Sequence, residues 1–144
     1  MPQPGLADVP TLIGQLREAG LPVEYTVEGE PRELPVGIEL SAYRIVQEAL
    51  TNALKHAGHA RATVHVRYGP ESLDLEVADD GAPSQASRAG MTGAENPQDA
   101  RRPASGQGHG LVGMRERVSL YGGRFDARRS PAGGFVVRAK LPLR

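Results

Sequence analysis

Four polar side chains of one continuous stretch, Arg44, Glu48, Asn52 and Lys55, are spaced by four, four and three residues. In a helix that spacing gathers them within about 80° of arc, on a single face. A carboxylate and an amide oxygen one turn apart are hard oxygen donors of the kind Mg²⁺ takes beside a substrate phosphate, and a Lys ammonium meets phosphate as a point charge. Asn52 stands out because Asn competes for its own backbone in mid-helix, and here it sits among Ala and Leu. The same four also read as a solvated helix face of ordinary neighbours. A second candidate is Val77-Ala-Asp79-Asp80-Gly81, an acidic turn at a strand end. It would present a carboxylate as acceptor to an exocyclic amino group, or serve only as a turn. The third is Gly106-Gln-Gly108-His-Gly110-Leu-Val-Gly113, with glycine at every second position on entering a helix. Backbone N–H groups there can approach an anion closely and the helix start adds a positive dipole end, which suits a di- or triphosphate. Glycine-rich turns are frequent, and this one is neither a P-loop, lacking Gly-Lys-Ser/Thr, nor a dinucleotide-binding fingerprint, lacking the preceding strand.

The elements that must position these residues follow from periodicity. A short helix is predicted from Asp8 to Ala19, with Asp8 as N-cap, Pro10 in its first turn and Gly20 as stop. Val23 to Glu28 alternates as a strand. From Ile38 to Ala57 the apolar residues recur at three and four, a helix with one buried stripe closed by Gly58. Ala62–Tyr68 and Ser72–Ala78 form an antiparallel hairpin about Gly69-Pro-Glu71. Residues 82–107 carry almost no large apolar side chain, so they read as a linker or a functional lid. Helix returns from Gly110 to Tyr121, and a second hairpin joins Gly123–Arg128 to Gly134–Leu141. The expected architecture is an α/β (α+β) two-layer sandwich, a mixed and mostly antiparallel five-stranded sheet with about three helices on one face. Residues 1–21 are expected as an N-terminal helix or linker and 22–144 as the functional domain.

Composition narrows the classes. The 144 residues carry 17 basic and 17 acidic side chains and are 39% hydrophobic, the mix of one globular domain. A neutral balance offers no general pull toward nucleic acid or an anionic membrane. The absence of cysteine removes disulfides, thiolate metal sites and cysteine nucleophiles. With no long apolar run and no basic leader at Met1, the chain reads as cytoplasmic, leaving room for a membrane anchor elsewhere in a longer protein. The four histidines, His56, His59, His65 and His109, are scattered without a carboxylate or Cys set, which argues against zinc.

Taken together, the three constellations in this order of strands and helices resemble the nucleotide site of the GHKL ATPase superfamily. The likeness is nearest to the catalytic ATP-binding domain of bacterial sensor histidine kinases, in the subgroup that partners helix-turn-helix (NarL-type) response regulators. Tyr43 to Ala57 resembles that subgroup's N box, Asp79-Asp-Gly81 its first glycine box and Gly108 to Arg117 its second. The resemblance runs from about Pro22 to Leu143 and implies the Bergerat, histidine-kinase-like ATPase fold. It implies Glu48 as general base or water-organising carboxylate, Asn52 as the Mg²⁺ ligand, and Lys55 and His56 on the phosphate side. Asp79 would accept from the adenine amino group and Gly81 would let the base approach. Gly106, Gly108 and Gly110, with Leu111, would hinge and line a lid formed by 82–107. Arg44, one turn before Glu48, could orient it. Two positions depart from the family pattern: Pro83 stands where a second glycine is usual, and Phe135 where a Thr often binds adenine through water.

The resemblance further implies ATP and Mg²⁺ as ligands. The phosphoacceptor would be a His on a separate dimeric helical segment, with a response regulator downstream and this piece alone a monomer. None of the chain's histidines sits where that acceptor would. Two alternatives stand beside this expectation: a stand-alone GHKL serine kinase of the anti-sigma-factor type, and a non-catalytic nucleotide-binding module. Arg115-Glu-Arg117 after Gly113-Met114 looks more like the sensor kinases.

Overall fold

The computed structural model describes residues 3–56, 60–81, 107–131 and 133–143, without the side chains of His56 and of 107–110. A 3-10 turn at Leu6–Asp8 leads into α1 (Val9–Glu18), β1 (Val23–Glu28), α2 (Val36–His56), β2 (Ala62–Tyr68), β3 (Ser72–Asp79), α3 (Gln107–Leu120), β4 (Arg124–Arg129) and β5 (Phe135–Pro142). The strands form one sheet in the order β1-β2-β3-β5-β4. β1 and β2 run parallel, joined through α2, and every other neighbouring pair is antiparallel. The mixed, mostly antiparallel two-layer sandwich expected from the periodicity is the fold adopted.

Period two decides which side chains meet the helices. Val64 and Val66 of β2, Leu73, Leu75 and Val77 of β3, and Val137, Ala139 and Leu141 of β5 are all buried. Their interleaved partners Asp74, Glu76, Arg138 and Lys140 lie on the opposite face. α2 answers with a stripe at Ile38, Ala42, Ile45, Val46, Ala49, Leu50 and Ala53, each under a tenth exposed. Complete burial of a Leu or Ile side chain is worth about 1.5 to 3 kcal/mol. α1 joins the same cluster through Val9, Leu12, Ile13 and Leu16, so residues 6–18 share the sheet's core.

Several boundaries differ from expectation for local reasons. Asp8 makes no side-chain cap for α1; its carboxylate accepts from the Gly5 N–H at 2.9 Å, one turn earlier, and the helix is entered through the 3-10 turn. Gly20, at φ 107°, ends the helix region as predicted. α3 begins at Gln107, three residues before Gly110, because Gln-Gly-His-Gly carries no apolar periodicity to announce a helix. The predicted cap at Gly58, Pro83, Gly106 and the lid segment up to residue 106 lie outside the described residues. Among the described residues no helix is long and apolar enough to cross a membrane.

Candidate functional site

α2 carries the first constellation, graded from water to core. Arg44 and Lys55 are exposed, Glu48 is half-buried and Asn52 is only 8% exposed. The reading of all four as one solvated helix face therefore needs correction at Asn52. At about 100° per residue Asn52 lies only about 20° from Ile45, on the rim of the buried stripe, while Arg44 lies about 100° away. The small neighbours Ala49 and Ala53 are buried at 7% and 4%. Arg44 does not orient Glu48: its Nη1 donates to Gln47 Oε1 at 3.2 Å. Glu48 instead lies at the edge of a groove between α2 and α3 lined by Leu40, Arg44, Gln47, Thr51, Met114 and Arg117.

β3 carries the second. Asp79 is its last residue and shares the helix-facing parity of Leu73, Leu75 and Val77. Asp79 Oδ1 accepts from the Gly81 N–H at 3.1 Å, and the Phe135 N–H also bonds the carboxylate. Burial pushes the carboxyl above its ordinary range; the two N–H bonds oppose that rise, and the neighbouring Asp80 adds to it. Asp80 does separate work, since its Oδ1 accepts from the Arg61 N–H at 2.7 Å and its own N–H donates to the Arg61 carbonyl. Of two adjacent aspartates, one is spent on the turn and the other is held facing the helices.

Gly134, read from the sequence only as the start of a hairpin strand, makes this arrangement possible. It sits at φ 87°, and a Cβ there would fall inside the van der Waals envelope of the Asp79 carbonyl oxygen and 3.0 Å from Oδ1. Only glycine lets β5 start this close to β3. A Gly-Gly pair before a strand is the signal, and it is easily read as a bare hairpin turn.

Topology brings these parts to one end of the sheet. α2 ends at His56 and the chain re-enters the sheet at Ala62, which is in register with Asp79. α3 runs back along α2: Tyr121, just past its C-terminus, packs where Gly37 near the start of α2 leaves room. The N-terminus of α3 is therefore directed toward the Asn52 end of α2. Gly108 and Gly110 belong to the first turn of this helix, and Leu111 is buried at 7% in the core, anchoring it. Among the described residues no group of three or more His, Asp or Glu could hold a metal by itself.

Comparison with known proteins follows the same lines. Residues 37–144 match the model of the histidine kinase-, DNA gyrase B- and HSP90-like ATPases. Sensor histidine kinase LnrJ of Bacillus subtilis (strain 168) is 31% identical over 93% of this chain and 31% of its own length. Sensor histidine kinase YxjM of the same organism is 30% identical over 96% of this chain and 30% of its own. The chain thus spans about a third of the length of these curated relatives. Among solved structures, the histidine kinase domain of the Erythrobacter litoralis EL346 blue-light activated histidine kinase superposes with a TM-score of 0.60 at 24% identity, over 96% of this chain and 59% of that one. The chain belongs to the histidine kinase-, DNA gyrase B- and HSP90-like ATPase family, and the curated relatives it matches are sensor histidine kinases.

Proposed function

We propose that the chain binds Mg²⁺-ATP at the Asp79 end of its sheet and supplies the γ-phosphoryl group to a His on a separate helical segment of a longer kinase. The observation that carries this is the convergence of a half-buried carboxylate, a buried Asn on the rim of α2 and the N-terminus of α3 at one sheet end. The donors suit the ligands. Asp79, held by two backbone N–H bonds, keeps acceptor capacity for the amino group of adenine. Asn52 offers a neutral oxygen of the type Mg²⁺ accepts and would hold the ion, which would supply charge neutralisation of the phosphates. The end of α3 directs backbone N–H groups and a positive dipole toward the same place, and exposed Lys55 adds a mobile charge. Phosphoryl transfer asks mainly for positioning and charge neutralisation, so Glu48 would need only to organise the attacking nucleophile. A response regulator, of helix-turn-helix type by the sequence likeness, would then receive the phosphoryl group.

The test is transfer from γ-labelled ATP with this chain, with and without a His-bearing dimerisation segment supplied in trans. The expected product is an acid-labile, base-stable phosphoryl label on that segment, absent with the chain alone and strongly reduced by Glu48→Gln. Label on a serine of a partner protein instead would favour the serine kinase alternative. ATP bound but no label transferred would favour the non-catalytic one.

A further inference from the structure

The helix-facing side chains at the site end of the sheet form one register row across the strands: Val23, Ala62, Asp79, Phe135 and Arg129. Phe135 is the aromatic member of that row. It lies directly opposite Asp79, shares its parity, is partly buried and packs against the core cluster. Its own N–H holds the Asp79 carboxylate, and Gly134 before it admits the close approach. Opposed residues on one face of an antiparallel pair place their Cβ atoms about 4.5 to 5.5 Å apart. A planar base bonded to Asp79 through an exocyclic amino group therefore comes within reach of the ring.

We infer that Phe135 is a specificity-determining residue: its ring walls the base beside Asp79 and keeps water from the amino-to-carboxylate contact. This rests on the nucleotide reading above. A phenyl ring has neither donor nor acceptor, so at this position it cannot hold a bridging water to the base. The discrimination falls on Asp79, a pure acceptor when ionised, which favours an amino group and opposes a carbonyl oxygen. Polar contacts discriminate most where water cannot replace the missing partner, because a wrong base then leaves a group unpaired. Removing the ring and admitting water should soften the preference more than it weakens binding of the right base.

The experiment is calorimetric titration of this chain with ATP and with ITP, whose base carries a 6-oxo in place of the 6-amino group. The proteins are wild type, Phe135→Thr and Phe135→Leu, with melting curves to confirm folding. Wild type should prefer ATP by about 100-fold, the order expected for loss of one hydrogen bond to a charged acceptor. Phe135→Thr should cut that preference about tenfold. Phe135→Leu, apolar but not aromatic, should keep the preference and bind ATP about tenfold more weakly, from lost stacking. A Thr variant that folds and keeps the wild-type preference within twofold overturns the role of Phe135. Should the Thr variant fail to fold, the Leu variant decides alone, and unchanged ATP affinity overturns it. Wild type that binds neither nucleotide removes the nucleotide reading itself, and this inference with it.

Discussion

The two faces of the sheet use the same kinds of side chain for different ends. On the outward face polar groups answer one another: Arg138 Nε donates to Glu76 Oε1 across β5 and β3 at 2.7 Å, Arg128 Nε to Asp126 Oδ2 within β4 at 2.7 Å, and His65 Nε2 of β2 approaches Glu28 of β1 at 3.2 Å. These partners are well exposed, and such pairs contribute about 0 to 1 kcal/mol each. On the helix-facing side a single carboxylate, Asp79, stands at the end of rows of Val, Leu and Ala. Its partners are backbone N–H groups rather than a cation. A carboxylate matched by Arg has its charge answered within the sheet. One held in place, partly desolvated and without a counter-charge, keeps its acceptor capacity for a ligand.

Breaking the contrast at its tightest point should have the largest effect. Gly134→Ala would force a Cβ against the Asp79 carbonyl at a φ that disfavours side chains, costing about 3 kcal/mol of stability together with ATP affinity. Urea unfolding beside nucleotide titration would register both. Next is Asp79→Asn, expected to weaken ATP binding by about ten- to a hundredfold, since a charged acceptor is lost. The same substitution should stabilise the ligand-free protein at neutral pH. The reason is linkage: burial raises the folded carboxyl above its ordinary 3.8, so the unfolded chain gives up that proton first as pH rises. The native state then binds more protons over the window above 3.8, and stability falls as pH climbs through it. Unfolding curves at pH 4 and pH 7 should show that slope in wild type and its reduction in Asp79→Asn.

On the outward face, Glu76→Gln should cost no more than about 1 kcal/mol and leave nucleotide affinity unchanged. A loss comparable to that of Gly134→Ala would abolish the distinction between the faces. Smallest of all is Ser41→Ala. Ser41 is fully buried on α2, and its Oγ has no hydrogen-bond partner among the described residues. Removing the hydroxyl should be neutral or stabilising by up to about 1 kcal/mol in thermal or urea unfolding.

Most of this arrangement was legible because strand and helix periods survive in the sequence. The alternations of Val23–Glu28 and Ala62–Tyr68 coincide with β1 and β2, and the stripe of α2 is the one its spacing predicts. The chemistry was legible in type more than in depth. A helical wheel puts Asn52 beside Glu48, but only the width of the covering layer decides that one is buried and the other half-open. The choice of Asp79 over Asp80 rested on likeness, and its physical reason, the capture of Asp80 by the Arg61 backbone, comes from the register of β2 with β3. Gly134 stayed hidden because its demand is for space between two strands far apart in sequence. No local pattern announces such a contact.

The most direct test of the central claim, that the incompletely paired end of the sheet and the rim of α2 hold Mg²⁺-ATP, is calorimetric titration with ATP, with and without Mg²⁺, for wild type and Asn52→Ala. Wild type should bind ATP and gain affinity with Mg²⁺, and Asn52→Ala should lose that Mg²⁺-dependent gain while keeping its fold. A wild-type chain that binds no nucleotide at millimolar ligand, or an Asn52→Ala variant with the full Mg²⁺ response, would contradict it.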